Sequence, residues 1–530
     1  MSDKIISSVV ATSDSSSTNM GVSDSNEKNG GVTVEAFSLE EQEAVNLKKV
    51  DFAMKYADIT KDMVLTPEAE KRILRKVDMI VLPFMTVMYG VQFMDRSTLG
   101  YSAIMGVKDI GPMVGTMYSW LTTGFYIAYL AWAFPGSWTL QKFPLVKTLC
   151  AYIFLWGFVL AMHAAVFTYP AIMVCRLFLG IFEAPLLTGL SLMGNNFYRK
   201  DEQFKRMAFI YAGTGFGNIL GSVVAYGIEK DATNWVLTSW RSLFLILGVV
   251  TMVLAVAMVL VVPDLPTQAW WLSEEDKLLT VERIRDNEQG FGTKDFKWHQ
   301  VKEAFLEPRA YLFAMLAICI ELPNSGITAY GSILLNTEFE FDTEKALLMK
   351  APTGVVQLFG LSLIGILNSK RLIKHPTIVA LIGLCFALMG GCMLCFSKNK
   401  YAALAGFYLI GFSPISMVTA LTGLSADIAG RTKKVVCNGI YLVGFCFSSA
   451  VGPQTFLASE APNYPTAKYC LVGFYIGAMF TIAILGYYNY SVNKKRDSER
   501  DALGDAYKKV ENSAFIDMTD RENKDFRYTW

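Results

Sequence analysis

An arginine and a glutamate seven residues apart, Arg176 and Glu183, lie inside an otherwise apolar run from Tyr169 to Leu190. At 3.6 residues per turn that spacing is close to two turns, so one helix would carry both on nearly the same face. A guanidinium offers a carboxylate a bidentate partner, and a carboxyl in a cavity can take up and release a proton as its surroundings change. The two can pair across water, serve separately, or close a structural ion pair between helices. Asp95 and Arg96 adjoin at the end of another apolar run, where an arginine either meets a solute or snorkels to headgroups. Glu321 stands close to Pro323, Asn324 and Gly326, and Pro followed by Gly loosens helical hydrogen bonding as a gate or binding segment requires. Lys350, near Pro352, either neutralises Glu321 or attracts an anion. Tyr118, Trp120, Tyr126 and Tyr129 are candidates to line the same space, whereas His163 reads more readily as a hydrogen-bonded packing residue than as a proton relay.

These groups must be held by elements able to keep them out of lipid, because an ionisable side chain at hydrocarbon depth costs ~2.5–3.5 kcal/mol on the gentlest scale. The 530 residues are 53% hydrophobic and 18% charged, against about 25% charged in ordinary soluble proteins. A span needs roughly 20 apolar residues. Six such runs lie between Met79 and Val262 and six more between Tyr311 and Tyr490, with short loops inside each group. The expected plan is an all-α membrane protein with a disordered cytosolic tail over residues 1–75 and a six-helix bundle over 76–262. A cytosolic loop over 263–308, a second six-helix bundle over 309–490 and a cytosolic tail over 491–530 follow. Ser273-Glu274-Glu275-Asp276 opens a predicted short surface helix in the loop, ended by Gly290 and Gly292. Gly213, Gly217 and Gly221, every fourth residue, predict close helix packing.

Lys and Arg concentrate in the loops after the second, fourth, eighth and tenth runs (Lys142, Arg199, Arg206, Arg371 and Lys433 among them), which places both termini in the cytosol. The sequon at Asn489 then falls on the side where it is not modified. The first 35 residues lack the apolar core of a cleavable signal, so the first span is the expected targeting signal. With 48 Lys+Arg against 47 Asp+Glu the net charge is +1, and no global field draws nucleic acid. The nine Cys sit mostly in apolar runs, and Cys392 and Cys395 read as packing residues. Neither GxxxxGK[ST] nor HExxH occurs and there are only three His, which argues against an ATP-driven pump or a metalloenzyme. No cofactor is expected.

Several stretches together carry a resemblance. They are Val91-Gln92-Phe93-Met94-Asp95, RLFLGIFE from Arg176 to Glu183, Val262-Pro263-Asp264 with Pro266, and Leu322 through Ile327. Gly452 through Phe456 and the tail from Met518 to Tyr528 complete the set. In these the chain resembles the major facilitator superfamily, and within it the fungal anion:cation symporters typified by the allantoate/ureidosuccinate permease. The resemblance implies twelve helices in two bundles, import of a small organic anion, and roles for Arg96, Arg176 and Glu183 in anion binding and proton coupling. The seventh-span arginine of similar animal glutamate carriers is replaced by Glu321, the superfamily's loop motif after the second span is reduced to Gln141-Lys142-Phe143-Pro144 and Lys147, and the fifth span lacks the Gly-Pro pair of drug antiporters.

The expected substrate-binding residues are thus Arg96, Arg176, Tyr126, Asn324 and Lys350, and the expected proton-coupling residues Glu183, Asp95 and Glu321. The partners are a small organic anion such as allantoate or a vitamin-type carboxylate, protons and membrane lipid, with a monomer in the plasma membrane or, as the alternative, an internal one. Facilitated flux or export, nutrient sensing without flux, and a non-transporting scaffold are the rival functions.

Overall fold

Backbone N–H and C=O groups in lipid must be satisfied within their own segment, which leaves apolar runs of this length no choice but helix. The computed structural model describes residues 66–110, 113–285, 297–369, 376–503 and 518–529. The first bundle holds α1 (Pro67–Ile104), α2 (Met117–Lys142), α3 (Leu145–Met162), a fourth span divided into α4 (Tyr169–Glu183) and α5 (Leu186–Phe197), α6 (Lys200–Lys230) and α7 (Ser239–Val261). Two short helices follow, α8 (Glu274–Arg285) and α9 (Trp298–Phe305). The second bundle holds α10 (Pro308–Thr337), an eighth span made of α11 (Thr343–Leu348) and α12 (Ala351–Ser369), α13 (Pro376–Phe396), a tenth span made of α14 (Lys400–Leu409) and α15 (Ser413–Asp427), α16 (Arg431–Val451) and α17 (Pro465–Leu503).

Among the described residues, eleven spans are long and apolar enough to cross a membrane by length and composition alone. The twelfth, α2, is 26 residues long and uncharged before Lys142; its Ser, Thr, Tyr and Trp lower its hydropathy without shortening its reach of ~39 Å. Phe154, Val253, Phe359 and Phe480 stand exposed on the outer faces, an apolar belt that lipid covers.

Three boundaries differ from expectation. The first helix starts at Pro67, capped by Thr66, nine residues before the expected bundle. Its opening turns carry Glu70, Arg72, Lys76 and Asp78, which pair with Arg199, Asp276 and Arg206 instead of dissolving in water. Residues 1–65 of the expected tail lie outside the described residues. The helix begun by Ser273 is pinned, not solvated: Asp276 bonds Arg72 and Lys76, and the fully buried Arg283 meets Glu202. Its expected end at Gly290 and Gly292 lies outside the described residues, and a second helix, α9, follows. At the other end of the chain α17 runs to Leu503, and residues 518–529 dock under the second bundle. There Asp520 reaches Lys433 at 2.7 Å, Thr529 N donates to Asp427 at 2.8 Å, and Tyr528 packs 3.4 Å from the Arg309 guanidinium carbon. Asn489 of the sequon is buried between Arg309 and Asp427.

The glycine ladder lets the first and fifth spans touch backbone to backbone. A Cβ on Gly217 would lie 2.1 Å from Gly90 O and one on Gly213 2.6 Å from Thr86 O. Gly217→Ala should therefore destabilise the purified protein by the ~1–3 kcal/mol usual for overpacking and lower its thermal midpoint; an unmoved midpoint would contradict this contact. Asp264, from the Val-Pro-Asp stretch, accepts from Val146 N at 2.6 Å and so caps α3.

Hydrogen bonds join the two bundles at the end away from the start of α1. The Tyr118 hydroxyl donates to Ala329 O at 2.9 Å, Ser119 and Tyr330 hydroxyls are 2.8 Å apart, and Thr123 donates to Ala450 O at 2.8 Å. A Cβ on Gly100 would lie 2.8 Å from Thr328 O. This end is sealed.

Candidate functional site

Beneath the seal, between the bundles, lies a cavity of about 40 Å³ open to the centres of water molecules. At ~10–15 Å³ per water that is room for about three. Its wall takes Asp95, Arg96, Tyr126, Arg176 and Glu183 from the first bundle and Glu321, Asn324 and Thr328 from the second. Seven of the eight expected site residues therefore share one space. In a small, narrow cavity their mutual charges act through little solvent.

The fourth span positions two of them. Pro185 has no N–H to continue the helix, so α4 ends at Glu183, and the carboxyl sits at the break. Its Oε1 accepts from Arg96 Nε at 2.9 Å and from Gln92 Nε2 at 2.8 Å, and Oε2 has no hydrogen-bond partner among the described residues. Glu183 is thus the ion partner of Arg96, not of Arg176, two turns away. The Arg96 guanidinium carbon also lies 5.8 Å from the ring centres of both Tyr126 and Tyr129 and 6.0 Å from that of Phe445 of the second bundle. Those faces favour a cation.

Arg176 is different. It is 4% exposed, its Nε and Nη2 have no hydrogen-bond partner among the described residues, and its guanidinium carbon lies 5.4 Å from the Phe244 ring centre. Those two nitrogens form the edge of the fork that carboxylates bind in bidentate fashion. Asp95 accepts from Trp156 Nε1 at 2.7 Å through Oδ2, and Oδ1 has no hydrogen-bond partner among the described residues. Glu321 receives Asn324 Nδ2 at 3.0 Å and the Ser449 hydroxyl at 3.4 Å, and among the described residues no cation stands within ion-pair distance of it. Two guanidiniums thus face three carboxyls, each carboxyl held differently.

Lys350 is outside the cavity. Its ammonium bonds Thr328 O at 3.1 Å and lies over Tyr101, behind the wall, and does not pair with Glu321. Trp120, at 48% exposure, faces outward, because position 120 lies on the far side of α2 from Tyr118 and Tyr126. Tyr118 belongs to the seal. His163 stacks on Phe244 at 4.8 Å and bonds Val159 O through Nδ1, as a packing residue does, while Nε2 has no partner. Cys392 and Cys395 are free thiols. Sequence reasoning missed Gln92, Trp156, Phe244 and Ser449. Only Gln92 carried a signal, one turn before Arg96. Glu303, Glu307 and Asp520 cluster closely enough to suggest a metal, but the Lys433 ammonium already lies 2.9, 3.0 and 2.7 Å from them.

The sequence model described as Major Facilitator Superfamily matches residues 85–453. The chain is 40% identical to an uncharacterised transporter of Schizosaccharomyces pombe, covering 91% of this chain and 94% of that one. It is 36% identical to the allantoate permease of Saccharomyces cerevisiae, over 91% and 90%. With the thiamine pathway transporter of the same yeast the identity is 33%, over 87% of each. Among solved structures it superposes on the proton:xylose symporter XylE bound to 6-bromo-6-deoxy-D-glucose with a TM-score of 0.58 at 15% identity, over 76% of this chain and 94% of that one, a likeness of fold.

Proposed function

We propose that this chain, which belongs to the major facilitator superfamily, imports a small organic carboxylate together with protons by alternating access. The observation that carries the reading is Arg176, a buried guanidinium that lines the cavity between the bundles and whose carboxylate-binding edge has no hydrogen-bond partner among the described residues. An intramembrane cation kept in that condition is expected to meet an anion during the cycle. Relatives over nearly the whole chain include an allantoate permease, in keeping with such a substrate.

In this reading the substrate carboxylate and Glu183 compete for Arg96. Protonation of Glu183 removes its claim on the guanidinium, and Arg96 then joins Arg176 in holding the substrate, with Tyr126 and Asn324 shaping the rest of the site. Proton and substrate binding thereby favour each other, which is the linkage a symporter needs. If all five charged groups are ionised the cavity carries −1, from two cations and three anions; one proton, on Glu321 or Asp95, balances it when empty, and a second accompanies each monovalent anion. A gradient of two pH units supplies ~2.7 kcal/mol for that proton, or about 100-fold accumulation. Both termini face the cytosol, the sealed end faces outward, and the cavity must widen well beyond three waters to load or release. The protein acts as a monomer in the plasma membrane.

Glu183→Gln tests the coupling. In cells lacking their own permeases, labelled small carboxylates, allantoate first among them, should no longer accumulate against a gradient, while exchange of internal for external substrate continues. Accumulation equal to that of the unmodified protein would overturn the assignment of Glu183.

A further inference from the structure

Lys350 lies at the junction of α11 and α12, 3% exposed, at the sealed end. Among the described residues the one hydrogen-bond partner of its ammonium is the carbonyl of Thr328 at 3.1 Å, and the ammonium lies 4.7 Å from the centre of the Tyr101 ring. Among the described residues no carboxylate stands within ion-pair distance of it. The nearby loop is acidic, yet Glu338, Glu340 and Asp342 each have their own lysine, at Lys468, Lys400 and Lys345. A buried ammonium held by a carbonyl and a ring face is weakly compensated, and an anion would hold it better.

Its position makes that exchange possible. Thr328 lines the cavity, so Lys350 stands one backbone thickness behind the wall. Gly100 makes the arrangement possible: its missing side chain lets the first span approach Thr328 O, where a Cβ would sit at 2.8 Å and would also be 3.5 Å from the Lys350 ammonium. Were the first and seventh spans to part and open this end, Gly100 and the Thr328 carbonyl would separate and the ammonium would face the opening.

We propose that Lys350 is an outer capture site for the substrate carboxylate. It binds the carboxylate while this end is open and surrenders it to Arg176 as Thr328 O returns to the ammonium on closure. The inference rests on the reading of the cavity as a carboxylate carrier that loads from this end.

The test is the concentration dependence of initial uptake of the carboxylate that the unmodified protein transports, in Lys350→Gln, Lys350→Met and Lys350→Arg, with the amount of protein at the membrane measured alongside. Removing the charge should raise KM about ten-fold and leave the maximal rate per molecule within about two-fold, and raising the ionic strength should then matter less than for the unmodified protein. Lys350→Arg should restore KM to within about three-fold. KM for efflux, loaded from the other end, should stay unchanged. The methionine variant keeps the stem against Tyr101 and must repeat the glutamine result. A fall in maximal rate with KM unchanged, or an arginine variant as impaired as glutamine, would make Lys350 a strut of the seal and overturn the proposal. If the unmodified protein transports no carboxylate, it is the carrier reading that fails.

Discussion

Arg176→Gln should lower kcat/KM for uptake by about 100- to 1,000-fold, the cost of removing one partner from a buried, hydrogen-bonded charge pair. Arg176→Lys keeps the charge but loses the planar fork, and should cost about ten-fold or more. What separates this from a structural role is stability. Arg176 Nε and Nη2 have no hydrogen-bond partner among the described residues, and its guanidinium rests on the Phe244 face, so either variant should unfold within about 2 kcal/mol of the original. Thermal unfolding in detergent, run beside uptake, reads both. A variant that transports normally, or that fails because it no longer folds, would contradict the role given to Arg176.

Lys433→Met should have the opposite profile, with a large loss of stability from a residue far from the cavity. Its ammonium is completely buried and holds Glu303, Glu307 and Asp520 together, so the substitution strands three carboxylates. Breaking such a buried pair typically costs ~3–5 kcal/mol. Arg521 stays within 3.2 Å of Glu307, which limits but does not cancel the loss. The expected result is a sharply lower thermal midpoint and proteolysis of residues 518–529 under conditions that spare the original; an unchanged midpoint would show that the cluster is not closed by Lys433. The same cluster sets an acid limit. Burial works against a charge on Glu307, but Lys433, Arg309 and Arg521 outweigh it and hold the carboxyl below the usual range. A carboxyl depressed in the folded state stabilises fully above its unfolded value, about 4.3, and loses that contribution as pH falls through the folded value. Midpoints measured from pH 7 to pH 3 should therefore fall steeply only below about 4.

The spans were legible because lipid leaves an apolar run only one structure, and the cavity was legible because Asp95, Arg96, Arg176, Glu183 and Glu321 could not stand at that depth anywhere but inside. Which of them pair was not legible. Spacing along α4 places Arg176 and Glu183 on one face, but the choice of Arg96 as the partner of Glu183 depends on how α1 is rotated against the fourth span, and no local pattern encodes that. Trp156 and Phe244 looked like any aromatic residues in apolar helices until their neighbours were known. Lys350 misled because distance in sequence from Glu321 says nothing about which side of the Thr328 backbone it occupies. The polar segments were misread for a common reason. Mixed charge looks the same whether water or an opposite charge receives it, so the opening of α1, the seat of α8 and the docking of residues 518–529 all resembled solvated tail or loop.

That docking imposes an order on biogenesis. All twelve spans are made before the stretch that completes the base of the second bundle exists, and until then Lys433 lacks Asp520 and Asp427 lacks Thr529. A nonsense codon near position 517 would yield a product with every hydrophobic segment inserted and yet an unfinished underside, the kind of defect that degradation machinery removes.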